Sequence, residues 1–117
     1  MVQTNGVYVM RVASMLTGMH PQTLRKYERA GLLSPSRSKT LRMYSDEDIA
    51  RLRVIKHLVD EVGLNLAGVE LALELQTTLL NIKKELALAD TSSRLKEQLA
   101  HFLDEMLEML GATSAPD

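Results

Sequence analysis

The chain has 117 residues, which is enough for one domain or for a small domain with an appendage. It contains no cysteine, and this excludes disulfides, thiolate metal sites and cysteine catalysis. The net charge of −1 conceals an asymmetry, because residues 1–60 carry ten Lys/Arg and five Asp/Glu whereas residues 61–117 carry four and ten. A basic front half and an acidic rear half predict a polyanionic partner for the front half alone.

Neither membrane insertion nor enzymatic activity is predicted. No apolar run approaches the roughly 20 residues of a membrane span, and the N-terminus lacks the layout of a signal peptide, so we expect a cytoplasmic protein. His20, His57 and His101 are far apart in the sequence, and no acid/base or nucleophile arrangement accompanies them. We therefore predict no enzyme, no metal and no cofactor.

Residues 9–33 predict two short helices joined by a tight turn. The residues before them, from Tyr8, are β-prone, and the first helix runs to Thr17, where Gly18 supplies the turn. Pro21 suits the first position of the second helix, and Gly31 suits its end. The second helix is basic and bears amide and hydroxyl side chains, which favours a helix-turn-helix. Two packed helices of any small α domain with a solvated basic face would show the same pattern.

Residues 33–44 predict a small hairpin, or wing. Pro35 blocks continuation of the helix, and the stretch is polar and basic with β-compatible ends. Arg37, Lys39 and Arg42 would lie at its tip and flanks, where they could contact phosphates. A plain surface loop is the alternative.

Two further helices follow the wing. Ser45 can cap the first of them, and the three acidic residues that follow it favour the positive end of the helix dipole. Its apolar residues keep three- and four-residue spacing as far as Val62, and Gly63 ends it. Asn65 is a good cap for the next helix, which is predicted to run to about Leu75.

The segment from Gln76 to Leu110 predicts a nearly continuous helix with two apolar seams. The first seam consists of Leu79, Ile82, Leu86 and Ala89, and the second of Leu95, Leu99, Phe102, Met106 and Met109. The seams are out of phase across residues 90–93, which form either a break or a skip in one long helix. An exposed apolar stripe needs a partner, and dimerisation is the simplest one. Folding back onto the chain's own domain is the alternative.

The order helix-turn-helix, wing, two helices and coiled coil resembles the MerR family of transcription regulators. The resemblance covers about residues 7–76. The matching residues are Val12-Ala13, Gly18 to Arg25, Tyr27-Glu28-Arg29, Gly31 to Pro35, Arg42, Tyr44-Ser45 and Asp48-Ile49. Residues 18–25 and 63–69 look most like the heat-shock repressor branch called HspR.

This resemblance implies a mainly α fold with a winged helix-turn-helix domain and a C-terminal coiled-coil dimerisation helix. The domains would be a disordered N-terminus at 1–6, a DNA-binding domain at 7–76, a coiled coil at 77–110 and a disordered tail at 111–117. The dimerisation residues would be Leu79, Ile82, Leu86, Leu95, Leu99, Phe102 and Met106.

The resemblance also implies a dimeric repressor of chaperone genes that binds inverted-repeat operators in double-stranded DNA, with the chaperone DnaK as co-repressor. It places Gln22, Thr23, Arg25 and Tyr27 in or beside the major groove, and the wing cations on flanking backbone or minor groove. The full candidate set for DNA binding is Arg11, His20, Gln22, Thr23, Arg25, Lys26, Tyr27, Arg37, Lys39, Arg42 and Tyr44.

Two other functions fit the same features. One is a MerR-like adaptor that binds a chaperone system and not DNA, and the other is a nucleoid-architectural protein with little sequence preference. Residues 1–45 carry seven Lys/Arg and a single acidic residue. An adaptor has no need of that excess, so the charge disfavours it.

Overall fold

The computed structural model of the protein describes residues 6–38 and 40–111, in which it has five helices and one three-stranded sheet. The elements are β1 (Tyr8–Val9), α1 (Met10–Thr17), α2 (Pro21–Arg29), β2 (Ser36–Ser38), β3 (Leu41–Tyr44), α3 (Asp46–Asp60), α4 (Leu66–Leu88) and α5 (Ser93–Met109). This confirms the predicted mainly α class. The predicted disorder at the two ends concerns residues outside the described part, apart from Gly6 and Gly111. None of the described helices is long and apolar enough to cross a membrane.

The chain divides into two compact units, residues 1–55 and residues 56–117. In the first unit, α1 ends at Gly18, which has a φ of 69° and donates its N–H to the carbonyl of Ser14. Pro21 is the first residue of α2, where a missing N–H costs no hydrogen bond. The ring Nδ1 of His20 accepts the N–H of Gln22 at 3.1 Å and so caps this helix. The predicted helix-turn-helix is therefore present.

The sheet confirms the predicted hairpin. Its strand order is β1-β3-β2, and all pairs are antiparallel. β1 pairs Tyr8 with Tyr44, and β2 pairs Ser36 with Met43. The N–H of Gly6 donates to Ser36 Oγ at 3.2 Å. These contacts hold the base of the wing to the strand that leads into α1.

The start of α3 is a reciprocal capping box. The N–H of Asp48 donates to Ser45 Oγ at 3.0 Å, and the N–H of Ser45 donates to Asp48 Oδ2 at 2.9 Å. Arg51 Nε donates to the carbonyl of Leu32, which ties α3 to the end of the helix-turn-helix. The buried apolar side chains of this unit are Ala13, Met19, Leu24, Tyr27, Leu32, Leu33, Tyr44, Ile49, Leu52, Val54 and Ile55.

In the second unit, α4 is longer than predicted. Asn65 caps it as expected, since its Oδ1 accepts the N–H of Gly68 at 2.9 Å. The helix does not end near Leu75 but continues to Leu88. Residues 69–110 contain no Gly and no Pro, so the sequence supplies no strong helix breaker at this point. The boundary proposed between residues 76 and 77 therefore falls inside a helix.

Residues 89–92 are a break and not a skip. α4 ends before them, and Ser92 caps α5 by accepting the N–H of Leu95 at 3.2 Å. Because the connection is short, α5 packs back against α4 as an antiparallel hairpin. Lys83 Nζ lies 2.7 Å from Asp104 Oδ1 and joins the two helices.

The hairpin changes the role of the predicted seams. On α5 the buried side chains are Leu103 and Leu107, whereas Leu99, Phe102 and Met106 remain exposed. On α4, Leu79 and Leu86 are half-buried and Ile82 is exposed. Within this chain, α5 therefore packs through Leu103 and Leu107, which lie one residue after the predicted seam residues Phe102 and Met106.

Candidate nucleic-acid interface

One face of α2 forms a basic ridge. Gln22, Arg25, Lys26 and Arg29 recur at i, i+3, i+4 and i+7, which places them on one side of the helix. Gln22, Lys26 and Arg29 are exposed, and Arg25 and Thr23 are half-buried. Leu24 on the opposite side is fully buried, so it anchors the ridge. Side chains of these types can bind both base edges and phosphates.

Two shallow depressions adjoin the ridge. The larger, of about 370 Å³, lies between α1 and the start of α2 and is lined by Met10, Arg11, Ser14, Met15, Pro21 and Arg25. The smaller, of about 160 Å³, is lined by Val9, Met10, Arg25, Thr40, Leu41 and Arg42. Arg25 borders both, so it links the α1 side of the ridge to the wing side. Arginines above apolar side chains suit phosphate together with sugar or thymine methyl groups.

The wing arginines are bound to a carboxylate on α2. Arg37 and Arg42 are directly opposite each other on β2 and β3. Arg42 Nε lies 2.5 Å from Glu28 Oε2, and Arg37 Nη2 lies 3.6 Å from Glu28 Oε1. Two of the three predicted wing cations therefore meet on one side chain of α2. The third, Lys39, is outside the described residues.

Two of the predicted DNA contacts are misplaced. Tyr44 has no exposed area, and Tyr27 is only 6% exposed, so both rings lie in the core of the first unit. Tyr27 follows Leu24 by three residues, which puts it on the buried face of α2. The Tyr44 hydroxyl has no hydrogen-bond partner among the described residues. Burial raises the pKa of Tyr44, and the nearby Glu28 carboxylate raises it further.

The other candidates lie at the surface. Arg11 is exposed on α1, and His20 is exposed at the start of α2. Three further residues around the ridge and the wing were not predicted from the sequence. Met15 is 76% exposed and Leu41 is 56% exposed, and each lines one of the depressions. Glu28 is the third, and its isolation as a single acid among seven cations was the signal for it.

Within the described ranges, no group of three His, Asp or Glu side chains is arranged to hold a metal ion. The basic ridge of α2 and the wing arginines offer charge and hydrogen-bond donors.

The α4–α5 hairpin of the second unit has one apolar side. On α4, Gln76 and Lys83 are half-buried, and the residue just before each of them, Leu75 or Ile82, is exposed. On α5, the exposed apolar residues likewise come one position before the residues that are buried or half-buried. In a pair of antiparallel helices, the residues that come one position before the packed residues lie on the same side of the pair in both helices. We call this surface the apolar side of the hairpin, and its members are Leu75, Ile82, Leu95, Leu99, Phe102, Met106 and Met109.

The opposite side of the hairpin is mostly polar. Positions one residue after the packed ones include Lys84 on α4 and Glu97, Asp104 and Glu108 on α5. The large exposed apolar side chains of the hairpin are therefore concentrated on one side.

The chain is similar to known proteins over most of its length. Residues 8–76 match the MerR HTH family of regulatory proteins. The chain is 42% identical over 103 residues to a Streptomyces coelicolor protein named as the heat shock protein HspR, covering 81% of this chain and 68% of that one. It is 36% identical over 93 residues to the HTH-type transcriptional regulator GlnR of Bacillus anthracis and of Bacillus cereus, covering 74% of this chain and 71% of each relative.

The fold, the basic ridge and these matches define a DNA-binding transcriptional regulator. The chain belongs to the MerR HTH family. The resemblance predicted from the sequence, including the similarity to HspR, is confirmed.

Proposed function

We propose that this chain is a dimeric transcriptional repressor that binds inverted-repeat operators, with α2 in the major groove and the wing on flanking phosphates. The observation that carries the proposal is the basic ridge of α2. Three of its four side chains are exposed, Leu24 anchors it from behind, and Arg25 adjoins Arg11 on one side and the wing on the other. This is the layout of a recognition helix with supports for phosphate contact.

The ridge contains side chains for both kinds of contact. The Gln22 amide can donate to and accept from an adenine edge, and Arg25 can bind a guanine edge with two hydrogen bonds. Lys26 and Arg29 supply charge for the phosphates that flank these bases. α2 has nine residues and is therefore about 13 Å long, which suits one half-site of a few base pairs.

The apolar side of the hairpin supports dimerisation. Seven large apolar side chains on one side of two helices would remain in water in a monomer. A second copy presents the same surface, so pairing two hairpins about a two-fold axis would bury both at once. Two-fold symmetry in the protein matches an inverted repeat in the DNA.

The name of one relative supports the proposal for the regulated genes. The Streptomyces relative is named as a heat shock protein, and this supports the proposed repression of chaperone genes. By the resemblance to the HspR branch, the chaperone DnaK would act as co-repressor. Adding DnaK should then tighten operator binding, and an unchanged affinity at saturating chaperone would contradict this part of the proposal.

DNA binding itself is tested by retention of a random-sequence duplex pool at several salt concentrations. We expect retention that falls steeply with salt, because Lys and Arg contacts release counterions from the phosphates. No retention at low salt, with and without DnaK, would contradict DNA binding and favour the adaptor.

A further inference from the structure

Glu28 lies within the most basic part of the chain. Residues 1–45 contain seven Lys/Arg and a single acidic residue, and that residue is Glu28. It is on α2, the helix that carries the basic ridge. A carboxylate there repels phosphate and lowers DNA affinity unless a neighbouring cation neutralises it.

The contact with Arg42 is close and shielded. Arg42 Nε donates to Glu28 Oε2 at 2.5 Å, and the Glu28 side chain is only 18% exposed. A charge-assisted hydrogen bond in a shielded place is stronger than an ordinary surface ion pair. Because Arg42 is on β3 and Glu28 is on α2, this contact fixes the central strand of the sheet on the recognition helix.

The contact with Arg37 is longer and open to solvent. Arg37 Nη2 lies 3.6 Å from Glu28 Oε1, and the Arg37 side chain is 54% exposed. Exposed ion pairs contribute little to stability, so Arg37 can leave Glu28 at small cost. Arg37 also faces Arg42 directly across the hairpin, where two like charges destabilise strand pairing. The Glu28 carboxylate relieves that repulsion in the absence of DNA.

We propose that Glu28 is a positioning residue for DNA recognition. It holds the wing on α2 through Arg42, and it releases Arg37 to bind a phosphate when DNA arrives. Arg42 then acts on DNA only through Glu28, whereas Arg37 touches the backbone itself. This inference rests on the proposed DNA-binding function.

Glu28→Gln tests the positioning role, with Glu47→Gln as a control that removes the same charge from α3 of the same unit. The probes are the duplex that the wild-type protein enriches from a random pool and a scrambled duplex of equal composition. We expect the affinity ratio between the two to fall by about tenfold or more in Glu28→Gln and to stay near its wild-type value in Glu47→Gln. Equal changes in the two variants would overturn the inference, since only charge would then matter.

The division between the two arginines is tested by double-mutant cycles. In the Glu28→Gln background, Arg42→Gln should change neither affinity nor the slope of log K against log salt. Arg37→Gln should lower that slope by about one in both backgrounds. A slope loss of about one from Arg42→Gln in the Glu28→Gln background would overturn the inference, because Arg42 would then contact phosphate directly.

Thermal unfolding of each variant checks that it is folded. If Glu28→Gln does not fold, the exchanged pair Glu28→Arg with Arg42→Glu gives the decisive result. It should fold and recover at least part of the specificity ratio, and a folded exchange variant without any specificity would overturn the inference. Failure of the wild-type protein to bind any duplex would instead contradict the proposed function, and the inference would fall with it.

Discussion

Lys83 on α4 and Asp104 on α5 form an ion pair across the hairpin of the second unit, with 2.7 Å between Nζ and Oδ1. Both side chains are more than a third exposed, so the pair contributes less than about 1 kcal/mol to stability. The pair fixes which residues of α4 lie level with which residues of α5. It brings Ile82 level with the α5 turn that bears Phe102 and Met106, and so gathers the exposed apolar residues on one side.

The first prediction concerns this apolar side. Leu99→Glu should convert a dimer to a monomer, because it places a charge within the paired surface. Leu80→Glu is the matched control. Leu80 is also an exposed leucine of the hairpin, 41% exposed against 39% for Leu99, but it lies on the other side. Sedimentation should therefore show a monomer for Leu99→Glu and a dimer for Leu80→Glu.

The oligomeric state of these variants also bears on DNA binding. The monomeric variant should bind an inverted repeat at least tenfold more weakly, since only one half-site remains engaged. An unchanged dimer in Leu99→Glu would show that the apolar side is not the contact between copies.

Arg25 provides the second prediction. It borders both depressions of the interface and lies on the basic ridge. Arg25→Ala should weaken specific binding by about 1–3 kcal/mol if the guanidinium binds a base, or lower the salt slope by about one if it binds phosphate. Equilibrium binding over a range of salt concentrations distinguishes the two. Unchanged affinity and slope would remove Arg25 from the interface.

The third prediction compares two glycines that have nearly equal φ angles. Gly111 has a φ of +84° and Gly63 a φ of +82°, but a Cβ on Gly111 would lie 2.6 Å from His57 Cδ2, whereas a Cβ on Gly63 would meet nothing within 4 Å. Gly63→Ala should cost about 1 kcal/mol for the left-handed backbone alone. Gly111→Ala should cost more, because the His57 ring must also move. Urea unfolding measures both.

A further variant isolates the contact with the ring. Adding His57→Ala to Gly111→Ala should remove the excess and leave a cost, relative to His57→Ala, close to that of Gly63→Ala. Equal costs for the two glycine variants in the presence of His57 would contradict the packing described for the end of α5.

The fourth prediction concerns the buried hydroxyl of Tyr44. Burial raises its pKa above the usual 10.0, so the folded protein keeps the proton that the unfolded chain loses. The stabilising contribution is complete below pH 10.0 and is lost as the pH rises towards the higher pKa of the folded state. Tyr44→Phe should remove this part of the alkaline loss of stability. At neutral pH it should be neutral or stabilising by about 1 kcal/mol, since it deletes a buried hydroxyl without a partner among the described residues.

Unfolding free energies at neutral and alkaline pH check this prediction. The wild-type protein should lose more stability between the two conditions than Tyr44→Phe does. The same loss in both proteins, or a clear destabilisation by Tyr44→Phe at neutral pH, would show that the hydroxyl is satisfied in solution.

Glycine and proline residues at the ends of helices predicted much of this fold. Gly18, Pro21 and Gly31 mark the ends of α1 and α2 because each suits one backbone position in a turn or cap. Pro35 and the polar stretch after it predicted the wing. The end of α4 was predicted too early, near Leu75, although no Gly or Pro marks that position, because a change of seam was taken for a change of element.

The contacts between elements that are distant in the sequence were harder to predict. α5 carries two apolar stripes one residue apart, one through Leu99, Phe102 and Met106 and one through Leu103 and Leu107. Periodicity cannot decide which of them packs within the chain, since both have helical spacing. The burial of Tyr44 and the pairing of Glu28 with Arg42 depend on how a strand lies on a helix, and spacing along the chain does not contain that information.

The most direct test of the central claim is selection from a random-duplex pool at moderate salt, followed by sequencing of the retained DNA. We expect enrichment of an inverted repeat whose half-sites lie a whole number of helical turns apart, because two recognition helices read them about a two-fold axis. Retention of DNA without any enriched sequence would contradict a site-specific dimeric regulator and indicate an architectural protein.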